Sequence, residues 1–316
     1  MTGIHHITAI AGDAQTNYDF YTGVLGLRLV KKTINFDDPE TYHLYYGDGL
    51  GTPGTLLTFF PWSASAPKGR GGVHQANLIS LAIPTASLGY WTHRLLEKNV
   101  KFMGPSEKNG AKVLSFQDPD GIGLELVTTN TPPANVHPWK ETTVPSDYAI
   151  RGIHSVQLWV LEGAPTLDLL QKLGYTIIAT EGNITHLAPK SGFGRVEVRT
   201  TGQFLGARGG VGTIHHVALR VPDDTAQADM QKLVAKENLN VTPVQDRQYF
   251  RSIYFREPGG VLFEIATDVP GFATDENPEH LGEALKLPSY LEPQRDYIES
   301  VLPMLETKET AMSGKQ

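Results

Sequence analysis

The chain has 316 residues, a net charge of −7 and no cysteine. Disulfides, thiolate metal sites and cysteine nucleophiles are therefore excluded, and the acidic balance argues against nucleic acid or an anionic membrane as partner, since both need a basic face. No run of about 18 apolar residues could span a bilayer, and the start MTGIHHITAI lacks the basic and apolar segments of a secretory signal, so a cytoplasmic location is expected. Any metal site must be built from His and carboxylates, which favours iron, manganese, nickel or zinc.

One strand-like start recurs along the chain, as GIHHITAIAGD at 3–13, NLISLAIP at 77–84, GIHSVQLWV at 152–160 and TIHHVALRVPD at 213–223. A helix is predicted after each, with N-cap candidates Asp13, Ser87, Thr166 and Asp223 and bodies NYDFYTGVL, GYWTHRLLEK, LDLLQKL and QADMQKLVAKE. The helices should stop at Gly26, Asn99, Gly174 and Asn238, residue types that tolerate the left-handed conformation. These stops lie 19–22 residues after His6, Leu78, Ser155 and His216, taken as equivalent positions. Three further strands follow each helix, in the first case LRLVKKTINF, YHLYYGD and GTLLTFF. The last hairpins of the second and fourth repeats, FQDPDGIGLELVTT and FREPGGVLFEIAT, also match. The pattern predicts an α+β protein of four tandem βαβββ modules with cupped mixed sheets. It divides into domains 1–145 (modules one and two) and 146–316 (modules three and four), with linkers near 62–73, 130–150 and 200–212. The 270–316 segment should add a loop, a helix near 293–306 and a polar, disordered end.

Side chains alternate across a strand. In module four this sets His215, Val217, Leu219 and Val221 under the helix, and His216, Ala218 and Arg220 on the cup. The same register gives His6 and Thr8 to the cup in module one and His5 to the helix side, while the final strand directs Glu264 to the cup. Where modules one and four carry histidine, module two has Leu78 and module three Ser155. At the glutamate position module two has Glu125, module three Glu197 and module one Phe59. One live metal site is expected between modules one and four, on His6, His216 and Glu264, with a vestigial cup in modules two and three.

Taken with HHIT-AIAGDAQTNYDFY, KKT, LGTPGT, the IHH of 214–216 and YFREPGGVLFE at 254–264, this arrangement resembles the vicinal-oxygen-chelate superfamily. More narrowly it is similar to bacterial hydroquinone ring-cleaving dioxygenases, over almost the whole chain to about residue 300. The resemblance implies Fe(II), with Mn(II) as an alternative, on His6, His216 and Glu264. It places His5, Thr8, His215, Arg247 and Tyr254 around the pocket, and implies a small aromatic substrate and O2. Two histidines and one carboxylate leave three coordination positions open, and Phe59 in place of a fourth carboxylate favours an oxygenase over a lyase. Tyr254 and His215 are then candidates to relay a proton, and Arg247 to orient the second hydroxyl. Arg247 is also readable as a surface ion pair, Tyr254 as strand packing, His5 and His215 as core histidines, and His43 as either pocket lining or cross-strand packing. His74, His93, His137, His186 and His280 are assigned surface or structural roles. Two other functions stay open: a glyoxalase-like metal-dependent lyase or isomerase, and a non-catalytic aromatic-ligand-binding protein. A homo-oligomer is neither required nor excluded.

Overall fold

In the computed structural model, which describes residues 1–130, 133 and 135–307, each quarter of the chain runs strand, helix, three strands. The first holds β1 (Ile4–Ala11), α1 (Ala14–Tyr18, prolonged by a π-helical turn over Asp19–Val24), β2 (Arg28–Asn35), β3 (Asp38–Gly47) and β4 (Leu56–Pro61). The second holds β5 (Gln75–Pro84), α2 (Leu88–Glu97), β6 (Phe102–Lys108), β7 (Ala111–Gln117) and β8 (Gly123–Thr129). The third holds β9 (Ile153–Val160), α3 (Gly163–Lys172), β10 (Tyr175–Glu181), β11 (Ile184–Pro189) and β12 (Arg195–Thr200). The fourth holds β13 (Thr213–Val221), α4 (Asp224–Lys236), β14 (Gln245–Asp246), β15 (Phe250–Arg256) and β16 (Leu262–Pro270). The fourfold βαβββ repeat is thus present.

The helix ends follow from local chemistry. Gly26, Asn99, Gly174 and Asn238 all have positive φ (+73°, +57°, +96° and +59°), as a left-handed helix exit requires. Asp13 and Asp223 cap α1 and α4, each accepting from the backbone N–H three residues on. Two expected caps differ. Ser87 makes no cap bond and donates instead to the Pro84 carbonyl. Thr166 lies inside α3, which begins at Gly163, and its buried hydroxyl donates to Glu257.

The strands form two curled eight-stranded sheets, β14-β15-β16-β13-β1-β4-β3-β2 and β10-β11-β12-β9-β5-β8-β7-β6. Hydrogen bonding therefore joins the first quarter with the fourth and the second with the third, across the 145/146 division of the chain. Their central antiparallel pairs, β1–β13 and β5–β9, carry the information that positions the site. In β1–β13 the pairing slips by one residue at His5 and again at His215. In β5–β9 it slips at Asn77 and His154. Four bulges thus stand at equivalent positions. A bulge adds one residue to one strand and breaks the alternation of faces. This is why Ile4 and Ile7, and Ile214 and Val217, share the same helix-side core.

After β16 the chain runs back along β2, the free edge of the first sheet. Lys286 N–H donates to the Lys32 carbonyl and Thr33 Oγ1 to the Lys286 carbonyl. The fully buried Lys31 ammonium sits between Asp275 and Glu276. An exposed edge strand would invite pairing with another chain, and this segment covers it. A short α5 (Arg295–Val301) follows; the expected polar end, 308–316, lies outside the described residues. Among the described residues no helix is long and apolar enough to cross a membrane.

Candidate metal centre

The central strands bring together three side chains that are far apart in sequence. His6 Nε2 lies 3.3 Å from His216 Nε2 and 3.4 Å from Glu264 Oε2, and His216 Nε2 is 2.9 Å from that same oxygen. All three residues are at most 5% exposed. Among the described residues this is the one group of three or more His, Cys, Asp or Glu whose ligand atoms converge in this way. Three donors about 2.1 Å from a common ion are separated by about 3.0 Å in a facial octahedral set and about 3.4 Å in a tetrahedral one. The observed triangle spans that interval. Glu264 Oε2 is moreover buried without a well-formed hydrogen bond. Such an atom carries a desolvation cost, which a cation at the centre of the triangle removes. These residues fit a divalent metal.

The bulges decide how the triad is supported, and here the simple alternation of faces fails. His5 does not lie under a helix: its ring packs on Phe250, and its Nδ1 is 2.9 Å from His6 Nδ1. Likewise His215 is exposed at the site rather than packed under α4, with its Nδ1 2.8 Å from His216 Nδ1. Each candidate ligand is thus gripped at its far nitrogen by the histidine preceding it. Burial, with His6 next, holds His5 well below the ordinary histidine value, while a hydrogen bond with the Thr267 backbone acts the other way. A metal ligand uses the lone pair of one ring nitrogen, so a His6 that binds through Nε2 carries its proton on Nδ1 and donates it to His5 Nδ1. His215, pushed down to about 4 by burial and then by His216, can serve His216 in the same way. Burial also lowers His216, although Glu264 opposes it. Burial would raise Glu264, but His6 and His216 outweigh it and hold the carboxyl well below its usual range.

At the glutamate-equivalent position of module one stands Thr58, not Phe59. Thr58 is opposite Thr8 as Glu264 is opposite Ala218, Glu125 opposite Ser80 and Glu197 opposite Gln157. Phe59 points into the helix-side core against Tyr21. The fourth position is therefore a hydroxyl, bonded to Thr8 Oγ1 (2.7 Å) and His43 Nε2 (2.9 Å). It remains a place without a carboxylate.

The triad lies at the floor of a cleft of about 360 Å³, within the range of small-molecule sites. Its walls are aromatic: Phe36, Phe60, Trp62, Tyr45 and Phe250, with the His43 ring tilted against both Tyr45 and Phe60. His43, bonded also to Tyr45 Oη at 2.8 Å, is kept neutral by burial and then by the two triad histidines. Tyr254 and Arg247 line the opposite wall, where Arg247 Nε donates to Tyr254 Oη (3.2 Å) and Nη2 to Asp37 (3.0 Å). Burial, followed by Glu264, raises Tyr254 above the ordinary phenol value. The structure thus gathers every predicted site residue at or beneath the cleft, Thr8 being fully buried. Sequence reasoning missed Asp37, Tyr45, Thr58 and the aromatic walls. No local signal marks Asp37, which is 210 residues from Arg247.

The second cup has a different occupant. Lys108 Nζ lies 3.0 Å from Glu125 and 2.9 Å from Glu197, with Ser80 and Ser155 donating to the same two carboxylates. His186, buried nearby, is 3.8 Å from Glu197. The ammonium of Lys108, at the end of edge strand β6, thus sits between the two carboxylates of this cup.

The fold and this centre define a class, and the chain belongs to the glyoxalase/bleomycin resistance protein/dioxygenase superfamily, whose family model matches residues 3–126. It is 45% identical over 309 residues, 97% of each chain, to the "Putative ring-cleaving dioxygenase MhqO" of Bacillus subtilis. It is 36% identical over 310 residues, 94% of each chain, to the chlorohydroquinone/hydroquinone 1,2-dioxygenase of Sphingobium indicum. The crystal structure of a "putative dioxygenase" from Bacillus subtilis superposes with a TM-score of 0.93 at 44% identity, covering 98% of both chains.

Proposed function

We propose that this protein is a ring-cleaving dioxygenase that opens a hydroquinone-type diol with O2, using Fe(II) held by His6, His216 and Glu264. The observation that carries the reading is a two-histidine, one-carboxylate triangle at the floor of an aromatic-walled cleft, with a hydroxyl at the fourth position. Full-length likeness to relatives named for this chemistry supports it. A redox-active ion at the triangle would acidify a phenol, whose free pKa is about 10, and allow triplet dioxygen to react with a singlet ring.

The chain's own residues have definable parts. Phe60, Trp62, Phe250 and the His43–Tyr45 pair present faces and edges on which an aromatic ring packs. Tyr254 stays protonated, because burial opposes its anion. Its oxygen already accepts from Arg247, so its O–H is available to donate to a substrate oxygen. Arg247 and Tyr254 orient the diol, while His6, His216 and Glu264 fix the depth to which it enters. His215, neutral and open to solvent at the cleft, offers a route for proton exchange.

The test is anaerobic reconstitution with Fe(II), addition of methylhydroquinone, admission of oxygen, and measurement of oxygen uptake with product absorbance. One O2 consumed per ring opened, lost in His6→Ala and Glu264→Ala, is the expected result. Tyr254→Phe should lower kcat by roughly 10²-fold, the scale of losing one well-placed donor, with metal content unchanged. Metal-loaded protein that consumes no oxygen with any hydroquinone or catechol would instead favour an oxygen-independent lyase.

A further inference from the structure

Three charged side chains line the cleft: Glu264 at its floor, and Asp37 and Arg247 at its mouth. Arg247 follows β14 and Asp37 sits in the turn between β2 and β3, so they stand at the two ends of one eight-stranded sheet. Their 3.0 Å ion pair closes the curl across the mouth. The guanidinium also reaches Tyr254, both through Nε and with its carbon 5.4 Å from the ring centroid. The cation that faces an incoming diol therefore arrives already neutralised. A ring bearing its own carboxylate would have to displace Asp37 or lie beside it, and would find no uncompensated positive charge at the mouth.

We propose that Asp37 is a specificity-determining residue that restricts the cleft to uncharged diols by occupying Arg247. This deepens the proposed function and rests on it. The chemical class selected is a hydroquinone with neutral ring substituents, against carboxylated hydroquinones of the same ring size. The Asp37 side chain is 73% exposed, so solvent screens part of its field, and a moderate selectivity is expected rather than an absolute one.

The experiment compares methylhydroquinone with 2,5-dihydroxybenzoate in wild type, Asp37→Asn, Asp37→Ala, Asp37→Glu and Arg247→Met. Two readouts are taken: kcat/KM for oxygen uptake by the iron-loaded enzyme, and binding to metal-free protein through tryptophan fluorescence, since Trp62 lines the cleft. Wild type and Asp37→Glu should prefer the neutral diol. Asp37→Asn keeps a hydrogen-bond acceptor but loses the charge, and should shift the ratio toward the carboxylated diol by about tenfold. Asp37→Ala should shift it likewise, and Arg247→Met should bind the carboxylated diol no better than wild type. An unchanged ratio in Asp37→Asn overturns the proposal. A shift confined to Asp37→Ala also overturns it, because the pair would then act as a mechanical clasp. Wild type that turns over no neutral hydroquinone removes the proposed function itself and this inference with it. An active wild type with an unchanged Asp37→Asn ratio removes the inference alone.

Discussion

Replacing Lys108 by methionine separates the two cups energetically, because the change leaves the candidate metal centre untouched. Lys108 holds its ammonium within 3.0 Å of Glu125 and Glu197, whose side chains are 10% and 3% exposed. Burial works against the Lys108 ammonium and against the ionised Glu197. The lysine–carboxylate attraction outweighs both, so Lys108 lies above its ordinary value and Glu197 below its own. Removing one partner of such an arrangement leaves two uncompensated buried carboxylates, at a cost of about 3–5 kcal/mol near pH 7. Glu197 has a depressed folded pKa, so its contribution is present above the unfolded carboxylate value and lost as pH falls through the folded one. In the methionine variant burial favours the neutral carboxyl, so the difference from wild type should narrow as pH falls from 7 and close only below the depressed folded value of Glu197. Thermal unfolding by circular dichroism across pH 4–8 reads the effect. At pH 7 a fall of roughly 6–10 °C is expected, with a smaller fall at pH 4. A loss under about 1 kcal/mol at pH 7, or an equal loss at both pH values, would refute the view that the ammonium serves this cup as its resident cation.

The two histidine pairs make a second expectation: His5→Ala and His215→Ala should each weaken metal binding by about 10–100-fold without removing a ligand, as loss of a supporting hydrogen bond does. Equilibrium dialysis with Mn(II) tests it, and unchanged affinity in both variants would show that the pairs do not orient His6 and His216. Asp118, which accepts from Tyr21 and from two backbone N–H groups, is pushed up to about 6, mainly by burial. A raised folded pKa means that its contribution is intact below the unfolded value near 3.9 and is lost as pH rises through 6, by about 3 kcal/mol in total. Asp118→Asn should therefore gain stability relative to wild type between pH 4 and pH 7, as measured by urea denaturation. A difference that does not change with pH would contradict this.

The four βαβββ modules were legible because their cues are local. A strand start, a following helix and a glycine or asparagine exit each depend on a few neighbouring residues, and all four exits adopt the left-handed conformation. The triad was legible because comparison of equivalent positions showed histidine in modules one and four alone, and Glu264 at a strand position facing the same way. What alternation could not supply were the bulges. A register slip is a property of two strands together, and the slips at His5 and His215 place beside the triad two histidines that strict alternation would bury under helices. The same limit explains Thr58, whose equivalence to Glu264 appears only from the partner across the sheet.

Residue types and their periodicity thus determined the module count, the helix exits and the three candidate ligands, since each is encoded within one strand or helix. Tertiary structure alone decided where the central strands bulge, that Lys108 fills the second cup, and that Asp37 meets Arg247 across the mouth. Those outcomes depend on contacts between segments tens to hundreds of residues apart, where no spacing rule connects sequence to position. Side-chain reach and charge there acquire meaning only after the sheets have curled.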